Sequence, residues 1–193
     1  MHGVALEKRA GRAVEIGSYL GRSTALLALA AQRVAGSQAV LTAIDPHSGD
    51  RQQLEALGLA ELPTYDLFRL HMRGAGVDDV IDVRRDTSDA VATAWDAPMD
   101  LLYIDGWHSY DAVLSDINNY ASHLSEEGVV CFDDYGNYPE VRDAVQRRCR
   151  DPVQPAGHAP GHLPVLREGL APDGLHGRLA DPGSCRSPRG SDQ

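Results

Sequence analysis

Lysine is nearly missing from this chain: of its 18 basic residues only Lys8 is a lysine, and the rest are arginine. That bias fits a GC-rich coding sequence and says little about function. Aromatic residues are sparse, at 6% of 193 residues. The three cysteines, Cys131, Cys149 and Cys185, are odd in number and widely spaced, which argues against a disulfide framework or a paired thiolate metal site. No apolar run approaches the roughly 18 residues that span a bilayer, and the first ten residues hold no apolar signal region. A net charge of −10 disfavours a nucleic-acid groove or an anionic membrane surface as partner. A reduced, cytoplasmic protein is expected, with no nucleic acid and no membrane among its partners.

What is present reads as alternating strand and helix. Short apolar runs at Ala13–Ile16, Val40–Ile44, Val80–Val83, Leu101–Ile104 and Val129–Phe132 suit strands buried on both faces. Between them, helices are expected at Arg22–Val34, with Ser23 or Thr24 as cap and Gly36 as stop, and at Thr64–Arg73 and Asp89–Trp95. Ser109–His123 is a further helix, broken by Gly128, and Pro139–Arg150 is the last, with proline in its first turn. A shorter helix is expected near Gln52–Leu57. Strand, turn, helix, strand is the parallel crossover unit, so residues 1–150 are expected to form one α/β domain with a doubly wound, mostly parallel sheet in a three-layer sandwich.

The chemistry-bearing residues follow the strands, where open α/β sheets bind ligands. The turn Glu15-x-Gly17-x-x-x-Gly21 opens the first long helix, and its glycines let backbone approach a ligand closely. It is neither the Gly-x-Gly-x-x-Gly dinucleotide fingerprint nor a phosphate-binding loop. Glu15 would repel a pyrophosphate but suit an ammonium or sulfonium group. Asp45 ends the second strand, where a carboxylate can take both ribose hydroxyls or cap the turn before Pro46. Asp86, Thr87 and Ser88 end the third strand and can reach an adenine ring or cap the next helix. Asp105, Asp133 and Asp134 end two strands expected to be neighbours. Three converging carboxylates repel one another unless a hard cation such as magnesium holds them, although Asp133-Asp134 can equally cap the segment after the fifth strand. His108 lies within reach of a substrate hydroxyl at such a site and can take its proton, or it is a structural histidine. Trp107 and Tyr110 either wall the pocket or pack. Asp116 is expected to be a surface charge, and His47 to be solvated.

Together these residues resemble the class I S-adenosylmethionine-dependent methyltransferases, in particular the small metal-dependent O-methyltransferases. Residues 14–24 (VEIGSYLGRST) are similar to the family's first motif, and Ala43–His47 (AIDPH) to its ribose-binding strand end. The Asp105-Gly-x-His108-x-Tyr110 run with Asp133-Asp134 resembles enzymes that methylate sugars and other natural-product hydroxyls, and the catechol O-methyltransferase pattern. The resemblance implies that Glu15, Gly17, Ser18, Tyr19, Gly21, Ser23, Asp45, Asp86, Thr87 and Asp105 bind S-adenosylmethionine. It further implies that Asp105, Asp133 and Asp134 hold magnesium, and that His108 stands where a lysine base does, beside Asp105. An imidazole serves near pH 7, where an ordinary ammonium does not. The implied acceptor is a small hydroxylated molecule, and a homo-oligomer is compatible. A similar Asp-Gly-x-His pattern in cephalosporin-hydroxylase-like proteins leaves the reaction open.

Two departures stand out. About a dozen residues precede the first strand, where the family carries covering helices. Residues 151–193 hold 7 of the 11 prolines and 7 of the 19 glycines with no Phe, Trp, Tyr or Ile. They read as a disordered or aberrant tail in which only Leu163–Leu166 suits a strand, so the family's final antiparallel strand pair is expected to be missing or degenerate. A truncated or frameshifted product is the corresponding expectation. The alternative function is a non-catalytic methyltransferase-fold protein that binds only the cofactor or a partner. A nicotinamide-dependent reductase is a third reading, opposed by the absent dinucleotide fingerprint.

Overall fold

The computed structural model describes residues 1–48, 64–150 and 165–167. Its strands are β1 (Arg12–Ile16), β2 (Val40–Ile44), β3 (Ile81–Arg84), β4 (Met99–Ile104), β5 (Leu124–Phe132) and β6 (Val165–Arg167). Its helices are α1 (His2–Glu7), α2 (Arg22–Ala35), α3 (Thr64–Gly74), α4 (Ser88–Ala92), α5 (Tyr110–Tyr120) and α6 (Pro139–Arg150). The strands form one sheet in the order β3-β2-β1-β4-β5-β6, and every pairing is parallel. The order reverses between β1 and β4, where a crevice opens at the carboxyl edge.

Successive strand side chains point to opposite faces, so each central strand feeds two cores. Ala13, Leu41, Ala43, Leu101, Tyr103 and Cys131 pack with Leu27 of α2 and with Phe68 and Met72 of α3. Val14, Ile16, Ile44, Leu102, Ile104 and Phe132 pack on the other face with Val113 and Ile117 of α5 and Val141 and Val145 of α6. Burying each large apolar side chain stabilises the fold by roughly 1.5–3 kcal/mol, so this double-sided burial defines the layers.

Several local expectations are corrected. The N-cap of α2 is Gly21, at φ 86°, with no side-chain cap; Thr24 instead turns inward to donate a hydrogen bond to Glu15. The helix α5 ends at Tyr120, followed by a 3-10 turn at Ala121–His123, so Leu124 belongs to β5 and Gly128 lies within that strand. The register against β4 jumps from Met99↔Leu124 to Leu101↔Val129, and this irregularity absorbs Gly128. The helix α1, which has no signal in the apolar periodicity, packs Ala5 into the first core. At the far edge the described residues carry a single short strand, β6, parallel to β5. The expected helix near Gln52–Leu57 and the rest of the expected tail lie outside the described residues. No helix among the described residues is long and apolar enough to cross a membrane.

Candidate active site

The ladder hydrogen bonds run one residue past the strand ends. Gly17 N donates to Ile44 O (2.9 Å), Asp45 N to Arg84 O (3.1 Å), Asp105 N to Ile16 O (2.8 Å) and Asp133 N to Ile104 O (3.0 Å). Asp45, Gly17, Asp105 and Asp133 therefore stand in one row across four neighbouring strands. A cleft of about 900 Å³ opens above that row, within the range of small-molecule sites. Asp45, Tyr19, Asp105, His108 and Tyr138 line it, and so do Ser88 and Asp116.

The turn after β1 is held shut by Asp45. One carboxylate oxygen accepts from the amides of Ser18 (3.0 Å) and Tyr19 (2.8 Å), and the other from the amide of His47 (2.6 Å). Gly17 is needed for a different reason from the one its motif suggests. At φ 87° any Cβ there would sit 2.1 Å from the carbonyl oxygen of Asp105. The backbone that the glycine admits is that of β4's own continuation. Tyr19, His47 and Asp134 also take left-handed φ values of 44°, 51° and 53°. Such backbone costs energy in non-glycine residues and collects at working sites.

Polar groups without partners gather here too. Glu15 Oε1, Ser18 Oγ, the Tyr19 hydroxyl and both His47 ring nitrogens are buried and make no hydrogen bond among the described residues. Buried polar atoms left so in a folded protein cost about 1–3 kcal/mol each; of these residues Tyr19 lines the cleft, where a bound polar ligand would offset that cost.

Asp105, His108 and Asp134 each bring one ligand atom within 4.8 Å of the others, which marks them as a group able to hold a cation. His108 Nε2 lies 3.1 Å from Asp134 Oδ2, an ion-pair contact without hydrogen-bond alignment. The imidazole stacks on Tyr138 with ring centroids 4.2 Å apart. Burial, then the charges of Asp133, Glu15 and Asp134, push the Asp105 carboxyl well above the usual range. Acidic groups are thus crowded at this end, faced by the His108 imidazole. The third carboxylate is placed otherwise than expected. Asp133 hydrogen-bonds Asp105 and the buried Tyr103 hydroxyl, and it stands outside the group of three. The reason is strand alternation: Asp133 follows Cys131 on the α2 face, while the left-handed turn at Asp134 swings that side chain over the edge toward His108.

Other candidates are redistributed. Glu15 is fully buried, bonded by Ser23 and Thr24, and does not line the cleft; burial lifts its carboxyl to about 7. Asp86 is exposed, accepts the Thr87 amide (2.8 Å) and stays out of the cleft. Thr87 lines the cleft and caps α4, accepting the amide of Ala90. Trp107 lines the cleft with 77% of its surface exposed.

Two expectations are overturned. His47 is buried, 7% exposed, between the rings of Tyr65 and Phe68 at 5.3 and 5.1 Å, and burial lowers its pKa. Asp116 is likewise buried, 3% exposed, and lines the cleft. The signal was present in the sequence: Val113, Asp116, Ile117 and Tyr120 share one helical stripe, all buried.

Residues 14–135 match a family model described as a methyltransferase domain. The chain belongs to this methyltransferase family. Among related proteins, an uncharacterized protein of Acanthamoeba polyphaga mimivirus is 35% identical over 71 residues, covering 35% of this methyltransferase-family chain and 32% of the viral protein. The O-methyltransferase TomG of Streptomyces achromogenes, involved in tomaymycin synthesis and solved with S-adenosylmethionine, aligns with a TM-score of 0.56 and 19% identity. That alignment covers 76% of this chain and 62% of TomG. An O-methyltransferase of Bacillus cereus, solved with S-adenosylhomocysteine, aligns with a TM-score of 0.56 and 16% identity over 78% of this chain and 67% of its own. The chain thus spans about a third of the viral protein and under two thirds of TomG. Its fold is that of the class I methyltransferases.

Proposed function

We propose that this chain is an S-adenosylmethionine-dependent O-methyltransferase acting on a hydroxyl of a small molecule, a sugar or another natural product. The observation that carries this reading is the cleft itself. One end presents an imidazole in ion-pair contact with Asp134 beside crowded carboxylates, and the adjoining turn presents the Tyr19 hydroxyl, which has no partner among the described residues. The cofactor is placed with its ribose at Asp45 and its sulfonium beside Asp105, whose carboxylate complements that charge. His108 takes the proton of the acceptor hydroxyl, and the nearby Asp134 carboxylate stabilises the imidazolium by its charge. The acceptor oxygen then forms a bond to the methyl carbon as the carbon–sulfur bond breaks, leaving S-adenosylhomocysteine. Holding the two reactants in line supplies much of the rate.

Asp105, Asp134 and His108 also fit a divalent cation, because a positive ion would relieve the crowding that lifts Asp105. Such an ion supplies Lewis-acid polarisation of a bound hydroxyl. The all-oxygen set expected from sequence suits magnesium, calcium or manganese; one imidazole makes the set softer and shifts the preference from magnesium and calcium toward manganese and the later first-row ions.

The test is calorimetric titration with S-adenosylmethionine, with and without magnesium, followed by transfer of labelled methyl to a panel of phenols and sugars. Binding with transfer, and a loss of roughly hundredfold or more in His108→Ala at unchanged cofactor affinity, is expected. Cofactor binding without transfer to any hydroxyl would favour the binding-only alternative, and no binding would sink both. Dependence on added cation separates a metal-assisted reaction from one run by His108 and Asp134 alone. A cytoplasmic setting and a homo-oligomeric state accompany the proposal as further expectations.

A further inference from the structure

We propose that Asp116 reads the purine of the cofactor, its carboxylate accepting a hydrogen bond from the adenine 6-amino group. This rests on the S-adenosylmethionine reading above. The reacting methyl has to lie beside Asp105 and His108, and the ribose lies at Asp45. The purine is then left the rest of the cleft's lining, which includes Thr87, Ser88, Gly106, Ala112 and Asp116.

Asp116 belongs to the buried stripe of α5 and also lines the cleft. A Cβ placed on Gly106 would meet its Oδ2 at 3.9 Å, so the carboxylate lies beside the Gly106 backbone, and both residues line the cleft. The Ser88 hydroxyl is its hydrogen-bonding neighbour and Asp89 its charged one. Asp89 is occupied elsewhere, accepting from Ser115 (2.7 Å) and Asn119 (2.9 Å). Burial, with Asp89 adding to it, holds the Asp116 carboxyl at about 6, above the usual range. Among the described residues Ser88 is the donor given to this carboxylate, and Asp89 beside it can only accept, which leaves room for a further donor. The 6-amino group of adenine offers two N–H bonds, whereas a 6-oxo purine would bring a lone pair against it. The other acid at this strand end, Asp86, is exposed to solvent. Selection for an amino purine therefore falls to Asp116.

Equilibrium binding of S-adenosylhomocysteine and its deaminated analogue, S-inosylhomocysteine, tests the assignment. The wild type should prefer the amino form by roughly ten- to hundredfold, the range expected when a buried partner is left unpaired. Asp116→Asn, whose amide turns over to present either a donor or an acceptor, should bring the two within about threefold. Ser88→Ala should keep the preference. A wild type that binds both forms equally overturns the proposal without recourse to any variant, and so does an Asp116→Asn protein that keeps the full preference. A role for Asp116 in folding alone would shift the melting temperature and leave the amino-to-oxo ratio unmoved. If neither ligand binds the wild type, the cofactor reading itself falls, and this proposal with it.

Discussion

The sheet buries one carboxylate under each of its faces, and the two behave differently. Glu15 on the α2 face and Asp116 on the α5 face are both buried, and burial raises both above the usual range, to about 7 and about 6. Glu15 is sealed: it is tied to Ser23 and Thr24 at the start of α2 and does not reach the cleft. Asp116 opens onto the cleft. A raised pKa therefore does not separate a structural acid from one that meets a ligand. Access does.

The sharpest way to break the contrast is to disturb the seam between the two faces. Gly17→Ala would press a methyl against the Asp105 carbonyl at a left-handed φ. It should cost more than about 3 kcal/mol and abolish cofactor binding, read by denaturant unfolding and calorimetry. The next largest effect concerns the sealed acid. The folded-state pKa of Glu15 is raised, so its contribution to stability is fully present below pH 4.5 and is lost as pH rises through about 7. The loss is on the order of 3 kcal/mol. Glu15→Gln should flatten the fall of melting temperature across that window while leaving cofactor affinity within a few-fold; a large loss of affinity would show that the acid is not sealed. The smallest effect belongs to the open side. Thr87→Ala removes the cap of α4 and should cost about 1 kcal/mol, with cofactor affinity reduced as the adjoining wall of the cleft loosens.

Much of this was legible in the sequence because apolar runs and glycine stops mark buried strands and their helices directly. Five strands and the long helices fall where those runs place them. The row of Asp45, Gly17, Asp105 and Asp133 is likewise a consequence of each residue standing one step past a strand. What the linear pattern could not supply is direction. Whether Asp133 or Asp134 faces the cleft depends on a left-handed turn at one residue, and no periodicity reports it. Thr24 reads as a cap because hydroxyls favour that position, but the buried Glu15 competes with the helix end for it and wins. His47 and Asp116 read as surface residues on polarity alone, although the stripe through Val113 and Ile117 already carries the second. The helix α1 is too short to show a period at all.

The contact between Gly17 and the Asp105 carbonyl has a thermodynamic consequence. A turn and a strand end packed with no slack share their displacements. Because the turn packs on Asp105, a cationic ligand seated there lies beside that carboxyl and favours its charged form, and by linkage a proton on Asp105 weakens that ligand by the same factor. Cofactor binding to this chain should therefore exchange protons with the buffer, so its measured heat will depend on which buffer is used.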